Sequence, residues 1–242
     1  FAGNVATASR FCLIGPSTGG TEAIREVLER WRLPYVAVLI VQHIPPAFSA
    51  SFAERLDRSS PLFVRHAVDG QALQAGHAYV APGGLHMRIV RARGGYAIRL
   101  DESPPVNRHR PAVDVLFDSA MAFKRDCIAA VLLTGMGDDG ANGLLEMRRA
   151  GAQTWCRRQR GRRCGTPVLA RSDPDGGVEE LEVRLIGGAL VGVGASRLGV
   201  GLPSSPGSGV TLMRLMLLLV TELLKFRFYY LAMVWVGFLK YL

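Results

Sequence analysis

The sequence is poor in cysteine and lacks the spacings with which cysteine usually builds a site. Its four cysteines, Cys12, Cys127, Cys156 and Cys164, form no Cys-x-x-Cys pair and no Cys/His cluster of the zinc-binding kind. Two of them fall within apolar runs that are typical of buried strands. We therefore expect reduced thiols, a cytoplasmic protein and no metal site.

A segment able to cross a membrane is also lacking. Residues 210–242 are strongly apolar, but Glu222, Lys225 and Arg227 interrupt them, and the longest uncharged run there, 228–239, has 12 residues. A membrane-spanning helix needs about 20 residues. We expect an irregular apolar helix in this part and no membrane contact.

The even excess of positive charge that marks many nucleic-acid-binding domains is missing as well. The formal net charge is +9, but residues 1–155 contain 17 Lys and Arg against 14 Asp and Glu, whereas residues 156–242 contain 12 against 6. Six arginines fall within residues 157–171. Because the excess belongs mostly to the second part of the chain, we expect no nucleic-acid partner.

Up to about residue 155 the sequence alternates short apolar runs with helical periodicity, which is typical of βαβ units. Continuous apolar runs, as expected for strands covered on both faces, occupy residues 11–15, 36–42 and 128–134, and a further strand is predicted over 152–156. Helices are predicted over 21–31, 47–57 and 111–123, and a further helix after GMGDDGANG carries Leu144, Leu145 and Met147 and stops at a C-terminal cap at Gly151. Residues 86–100 divide at Gly94-Gly95 into an antiparallel hairpin, which we expect at the edge of the sheet. The fold class is therefore α/β, with a doubly wound, mainly parallel, Rossmann-like sheet, an antiparallel hairpin and an atypical C-terminal part.

Ser17 lies within residues 15–19, GPSTG, between the first predicted strand and the first predicted helix. The pattern fits G-x-S-x-G, in which a tight turn raises a serine hydroxyl above the sheet, next to helix N-terminal amides that stabilise an oxyanion. The alternative is a glycine-rich helix entry that binds a phosphate or nothing. The segment lacks both the lysine of a P-loop and the G-x-G-x-x-G spacing of a dinucleotide loop.

Two further strand ends carry residues that suit nucleophilic catalysis. His43 follows the second predicted strand, and Asp138 and Asp139 follow the strand before the last predicted helix, within GMGDDG. Because the carboxyl ends of parallel strands meet at one edge, Ser17, His43 and one aspartate would combine there as nucleophile, base and orienting acid. Each has a structural alternative, namely a satisfied buried histidine and an aspartate N-cap. The chain order Ser, His, Asp differs from the Ser, Asp, His order of the α/β-hydrolases.

Five separated stretches together resemble one known family. IGPSTGGTEAI, VQHIPPAFSASFAERLD, YVAPGGLHM, PVNRHRPAVDVLF and LLTGMGDDGANGLLEMRRAGAQT are similar, in this order, to the catalytic domain of the bacterial chemotaxis protein-glutamate methylesterases, the CheB family. The resemblance covers about residues 10–155. It implies a serine carboxylesterase that hydrolyses glutamyl methyl esters on methyl-accepting chemotaxis receptors and releases methanol. It also implies deamidation of particular receptor glutamines in many members, and no metal or organic cofactor.

The resemblance also implies roles for single residues. Ser17 corresponds to the nucleophile, His43 to the base, and Asp139, the second of the two aspartates, to the acid. Backbone amides near Ser17 and Met136 are implied to hold the oxyanion, and Thr18 to support the histidine.

Four other histidines have no assigned role in this triad. His86 and His109 match recurrent family motifs in loops, and lining of the substrate groove is the lesser alternative for both. His66 and His77 are expected on the surface.

The resemblance ends after Trp155. Family members continue with a strand, an A-Q-D-E-like turn, a V-V-Y-G-M-P-like segment and a final helix, and none of these patterns is found in residues 157–242. Our hypothesis is a shifted reading frame, with GGVEEL at 176–181 as a brief return to frame. The chain is accordingly divided into a CheB-type catalytic domain, residues 1–156, incomplete at its C-terminal end, and an atypical part, residues 157–242.

The first residue is Phe1, and no signal-peptide pattern follows it, so we expect a cytoplasmic fragment. The receiver domain that usually precedes the catalytic domain in this family is not found in the chain. Two alternatives stay open beside the methylesterase. One is a catalytically impaired domain that still binds receptors, and the other is an esterase of small molecules.

Overall fold

Strands and helices alternate along the chain, as the apolar runs predict. The structure is a computed structural model that describes residues 7–16, 20–123, 128–134, 138–157 and 179–181. Its strands are β1 (Arg10–Pro16), β2 (Val36–Ile40), β3 (Phe63–His66), β4 (His77–Val80), β5 (His86–Ala92), β6 (Gly95–Asp101), β7 (Ile128–Thr134), β8 (Gln153–Arg157) and β9 (Glu179–Leu181). Its helices are α1 (Gly20–Glu29), α2 (Pro46–Ser59), α3 (Val113–Ala120) and α4 (Ala141–Arg149).

Seven of the described strands form one parallel sheet in the order β3-β4-β2-β1-β7-β8-β9. β1 lies between β2 and β7, with Ile14 opposite Ile40 on one side and Val131 on the other. The carboxyl ends of these three strands therefore meet at the same edge of the sheet, where open α/β sheets bind their ligands.

Apolar side chains cover both faces of the sheet, because successive residues of a strand point to opposite sides. In β1, Phe11 and Leu13 pack with α3 and α4, whereas Cys12 and Ile14 pack with α1 and α2. The sheet is thus the middle layer between two pairs of helices. The fold class predicted from the sequence is confirmed.

The predicted hairpin is present, but its predicted place at the edge of the main sheet is wrong. β5 and β6 pair with each other, from His86 opposite Asp101 to Ala92 opposite Gly95, and form a sheet of their own. Met87, Ile89 and Ile98 belong to the same apolar cluster as α3, so the hairpin covers that helix instead of extending the sheet.

All described residues belong to one unit, residues 1–194. The boundary predicted at residue 156 stays a prediction, because residues 158–178 and 182–242 lie outside the described residues. Among the residues that are described, no helix is long and apolar enough to cross a membrane.

Candidate active site

His43 stands just beyond the carboxyl end of β2. The chain stays extended after Ile40, since the N–H of Val41 donates to the carbonyl of Ile14 in β1 (3.0 Å). The His43 side chain is 15% exposed, so the ring is sheltered but open on one side. Its Nε2 lies 2.7 Å from Oδ2 of Asp139. Because a carboxylate accepts, Nε2 carries the proton and Nδ1 is the nitrogen that is able to take up another.

Asp139 lies between β7 and α4, and its carboxylate is only 2% exposed. Besides His43, Oδ2 accepts the N–H of Val113 (2.7 Å), and Oδ1 accepts the N–H of Asp114 and the side-chain amide of Asn107, both at 3.1 Å. Val113 and Asp114 open α3, whose positive helix end favours a negative charge.

The charge of Asp139 results from a balance of two effects. Burial raises the pKa of this carboxyl, but the hydrogen bonds from His43, Val113, Asp114 and Asn107 outweigh burial and hold the pKa below its ordinary value. The carboxylate is therefore ionised at neutral pH. It orients the His43 ring and is placed to stabilise an imidazolium.

The two aspartates of the GMGDDG loop have different surroundings. Asp138 is exposed, whereas Asp139 is buried and contacts His43. Ser17, Thr18 and Met136 lie outside the described residues. Of the predicted site residues, His43 and Asp139 are therefore brought together by the structure. The roles of all five stay predictions here.

His109 stacks on the His43 ring, with centroids 3.7 Å apart and planes inclined by 8°. Burial lowers the pKa of His109, and the charge of His43 lowers it further. A neutral ring is thus favoured on this face of His43. The expectation that His109 lies in a loop near the site agrees with this contact, while its role toward substrate stays a prediction.

For His86 the predicted loop position is wrong, and the groove alternative does not apply. It is the first residue of β5 and is fully buried. Nδ1 accepts the N–H of Ala112 (3.2 Å), so Nε2 carries the proton and donates to the carbonyl of Pro104 (3.1 Å). Both ring nitrogens are used in holding the loop before α3, and neither is open to a substrate.

His66 and His77 were expected on the surface, and both are half-buried. His77 Nδ1 donates to the carbonyl of Ala75 (3.0 Å). His66 Nε2 lies 3.0 Å from Oγ of Ser49, so these two residues form a Ser–His pair away from His43. Ser49 is 1% exposed and its hydroxyl also contacts the carbonyl of Pro46, so no substrate carbonyl reaches it.

Asn107 and Asp114 were missed by the sequence reasoning, although PVNRHRPAVDVLF contains both. Asp114 is 6% exposed and accepts the N–H of Gly143 (2.8 Å) and the amide of Asn107 (2.7 Å). The sequence contains one indication that Asp114 is not a surface residue. It precedes the buried Phe117 by about one helical turn and therefore flanks the apolar face of the helix.

Within the described ranges, no three His, Cys, Asp or Glu side chains are arranged to hold a metal ion. Cys12 is buried, and burial raises the pKa of its thiol, which makes it a poor nucleophile. In the described part of the site, the titratable groups that hydrogen-bond to each other are the His43 ring and the ionised Asp139 carboxylate. The fold and this pair define an α/β protein with a hydrogen-bonded histidine and buried aspartate at the carboxyl edge of its sheet, an arrangement that serine hydrolases also use.

Comparison with known proteins narrows this class of protein to one family. The family model described as CheB methylesterase matches residues 12–172. A protein-glutamate methylesterase/protein-glutamine glutaminase of Chromohalobacter salexigens is 55% identical over 148 residues, which are 61% of this chain and 42% of the relative. The relative of the same name from Salmonella typhimurium is 50% identical over 153 residues, 63% of this chain and 44% of its own.

A solved structure agrees with these matches. The crystal structure of the Thermotoga maritima CheB methylesterase catalytic domain superposes with a TM-score of 0.70 at 30% identity, covering 77% of this chain and 99% of that domain. The chain belongs to the CheB methylesterase family. It spans less than half the length of the curated relatives it matches.

Proposed function

We propose that this chain is the catalytic part of a cytoplasmic protein-glutamate methylesterase. Its substrates are glutamyl methyl esters on methyl-accepting chemotaxis receptors, and glutamine side chains of the same receptors are a second substrate. The observation that carries the proposal is the His43–Asp139 pair at the carboxyl edge of the sheet, within the part of the chain that matches the CheB methylesterase family. β1, which leads into Ser17, lies between the strands that precede the two residues.

The proposed reaction proceeds through an acyl-enzyme. Ser17 Oγ attacks the ester carbonyl while Nδ1 of His43 takes the hydroxyl proton, and the same proton then passes to the leaving methoxide to give methanol. A water molecule, activated by His43, hydrolyses the acyl-serine and restores the hydroxyl. With a glutamine side chain the leaving group is ammonia.

The remaining groups of the site position His43 and stabilise the oxyanion during the proton transfer. Asp139 holds His43 in the tautomer that bears a proton on Nε2, as the 2.7 Å contact requires. Backbone amides near Ser17 and Met136 are proposed to bind the oxyanion, and Thr18 to support the histidine. No step requires a metal or an organic cofactor.

Methanol release from methylated receptor membranes tests the proposal. We expect the full chain to release methanol, and Ser17→Ala or His43→Ala to lower the rate by about a thousandfold or more. His77→Ala is the matched control, since it removes a half-buried histidine whose Nδ1 donates to the Ala75 carbonyl and whose ring lies beside Phe63 and Tyr79, away from His43. We expect it to keep the rate of the unaltered chain.

Three results would contradict the proposal. Equal rates in the unaltered chain, Ser17→Ala and His43→Ala would exclude the triad. Hydrolysis of free methyl esters with no preference for receptor-linked ones would instead indicate a small-molecule esterase. Receptor binding without any methanol release would indicate an impaired binding domain.

A further inference from the structure

The amide of Asn107 lies between two buried carboxylates. Its Nδ2 is 2.7 Å from Oδ2 of Asp114 and 3.1 Å from Oδ1 of Asp139. A primary amide has two N–H groups, so one nitrogen serves both acceptors. Asn107 is thus the side chain that links Asp139, the partner of His43, to Asp114.

The two carboxylates are held in place by each other's helices. Asp139, just before α4, accepts the N–H groups of Val113 and Asp114 at the start of α3. Asp114, in α3, accepts the N–H of Gly143 at the start of α4. Ala112 and Gly140, the N-cap residues of the two helices, supply no side-chain hydrogen bond of their own. Neither carboxylate is therefore free to turn away from the other.

Two like charges fixed so close together are unstable without a donor between them. Burial raises the pKa of Asp114, and the charge of Asp139 raises it further, so Asp114 is the acid that tends to take up a proton. An amide in between donates to both oxygens and has no acidic proton to give up.

The backbone of Asn107 is suited to this position. Val106 and His109 exchange two backbone hydrogen bonds, of 3.1 and 2.9 Å, around a two-residue turn. The central residues Asn107 and Arg108 have φ values of 51° and 67°. Asparagine tolerates this left-handed conformation better than most residues. The same turn places His109 against the ring of His43.

We propose that Asn107 is a positioning residue of this site, whose side-chain amide keeps the Asp139 carboxylate apart from Asp114 and aimed at Nε2 of His43. Its effect on the geometry of the His43–Asp139 pair follows from the contacts alone. Its effect on turnover rests on the proposed methylesterase function.

Two substitutions at Asn107 test this role without disturbing the turn. Asn107→Asp keeps the shape and the left-handed backbone but replaces the shared donor with a third acid. Asn107→Gly keeps the backbone conformation and removes the side chain. Thermal unfolding of the full chain shows whether each variant folds. If one variant fails to fold, the other still tests the role of Asn107.

The first readout is the low-field proton resonance of the His43 Nε2–H in the full chain, which needs no turnover. We expect this signal to move or broaden in both variants. The second readout is kcat and KM for methanol release. We expect kcat to fall by about 10- to 100-fold, as when a positioning group of a reacting residue is lost, with KM within about twofold.

Ser103→Ala is the matched control, because it also removes a side-chain donor to a carboxylate, that of Asp101, in the segment before the turn. It should leave the resonance and kcat unchanged. An unshifted resonance with unchanged kcat in both Asn107 variants overturns the proposal, and so does a rise in KM alone. If the unaltered chain releases no methanol, the proposed function fails, and the resonance by itself decides the role of Asn107.

Discussion

At the scale of single residues, Asp139 owes its charge to four donors that converge on a buried carboxylate. Its pKa lies below the ordinary value of 3.8 because these donors outweigh the effect of burial. A carboxyl whose pKa is lower in the folded chain stabilises the fold at pH values above the unfolded pKa. That contribution is lost as the pH falls through the folded pKa.

Asp139→Asn should therefore lower the free energy of unfolding more at neutral pH than at acidic pH. We expect a loss of about 2 kcal/mol in the free energy of unfolding at pH 7, since two donors then face an amide N–H₂ group. The difference from the unaltered chain should shrink as the pH falls below about 4 and through the lowered pKa of the folded chain, because the carboxylate of the unaltered chain is then protonated. Urea unfolding at a series of pH values measures it. Asp138→Asn, in the same loop but exposed, is the control, and a gap that stays constant over this range would contradict the account.

How much of the site was predictable follows from the kinds of contact involved. The proximity of His43 and Asp139 could be predicted because each follows a strand, and parallel strands bring such positions to one edge of the sheet. The roles of Asn107 and Asp114 could not, because they depend on hydrogen bonds to residues 25 to 32 positions away, which no local pattern encodes. His86 was misplaced because a buried histidine and a groove histidine have the same local sequence signal.

At the scale of elements, α3 and α4 are fitted closely against each other beside the site. A Cβ at Gly140 would lie 2.6 Å from Cγ1 of Val113, the first residue of α3, and 2.9 Å from Cδ1 of Leu132. Gly140 also has a φ of 87°. Gly151, at the other end of α4, has a similar φ of 88° but open space around the position of a Cβ.

This pair of glycines separates crowding from backbone strain. Gly151→Ala should cost about 1 to 2 kcal/mol of unfolding free energy, the price of a left-handed alanine. Gly140→Ala should cost about 1 to 3 kcal/mol more, because the methyl group displaces Val113, whose N–H donates to Asp139. Urea unfolding of both variants measures the difference, and kcat should fall only for Gly140→Ala. Equal losses of unfolding free energy in the two variants would show that the packing of α3 on Gly140 does not contribute to stability.

The long elements were predicted better than the short ones. β7 has the predicted bounds, 128–134, and Gly151 is in the left-handed conformation expected of a C-terminal cap. β3 and β4 were not predicted, since four residues each are too few to establish a period. The hairpin was placed at the sheet edge because its two strands look like edge strands locally, and only its packing on α3 shows otherwise.

At the scale of the whole molecule, the site depends on the order of the strands. Pairing of β1 with β2 was expected for consecutive strands, but the position of β7 on the other side of β1 requires a crossover past β3, β4 and the hairpin. Segments around residues 16, 43, 107 and 139 converge only once this topology is formed. The proposed activity is thus a property of the folded domain, and the residue 156 boundary and the frame-shift hypothesis for the part beyond it stay predictions.

Covalent labelling of the native chain with a serine-directed fluorophosphonate tests the central claim most directly. Peptide mass analysis should locate the label on Ser17, with no label on Ser17→Ala or on the chain unfolded in urea, and with labelling of His43→Ala slowed by about 100-fold or more. A label on any other serine, an unlabelled native chain, or an unchanged rate in His43→Ala would contradict the assignment of Ser17, His43 and Asp139 as a catalytic triad.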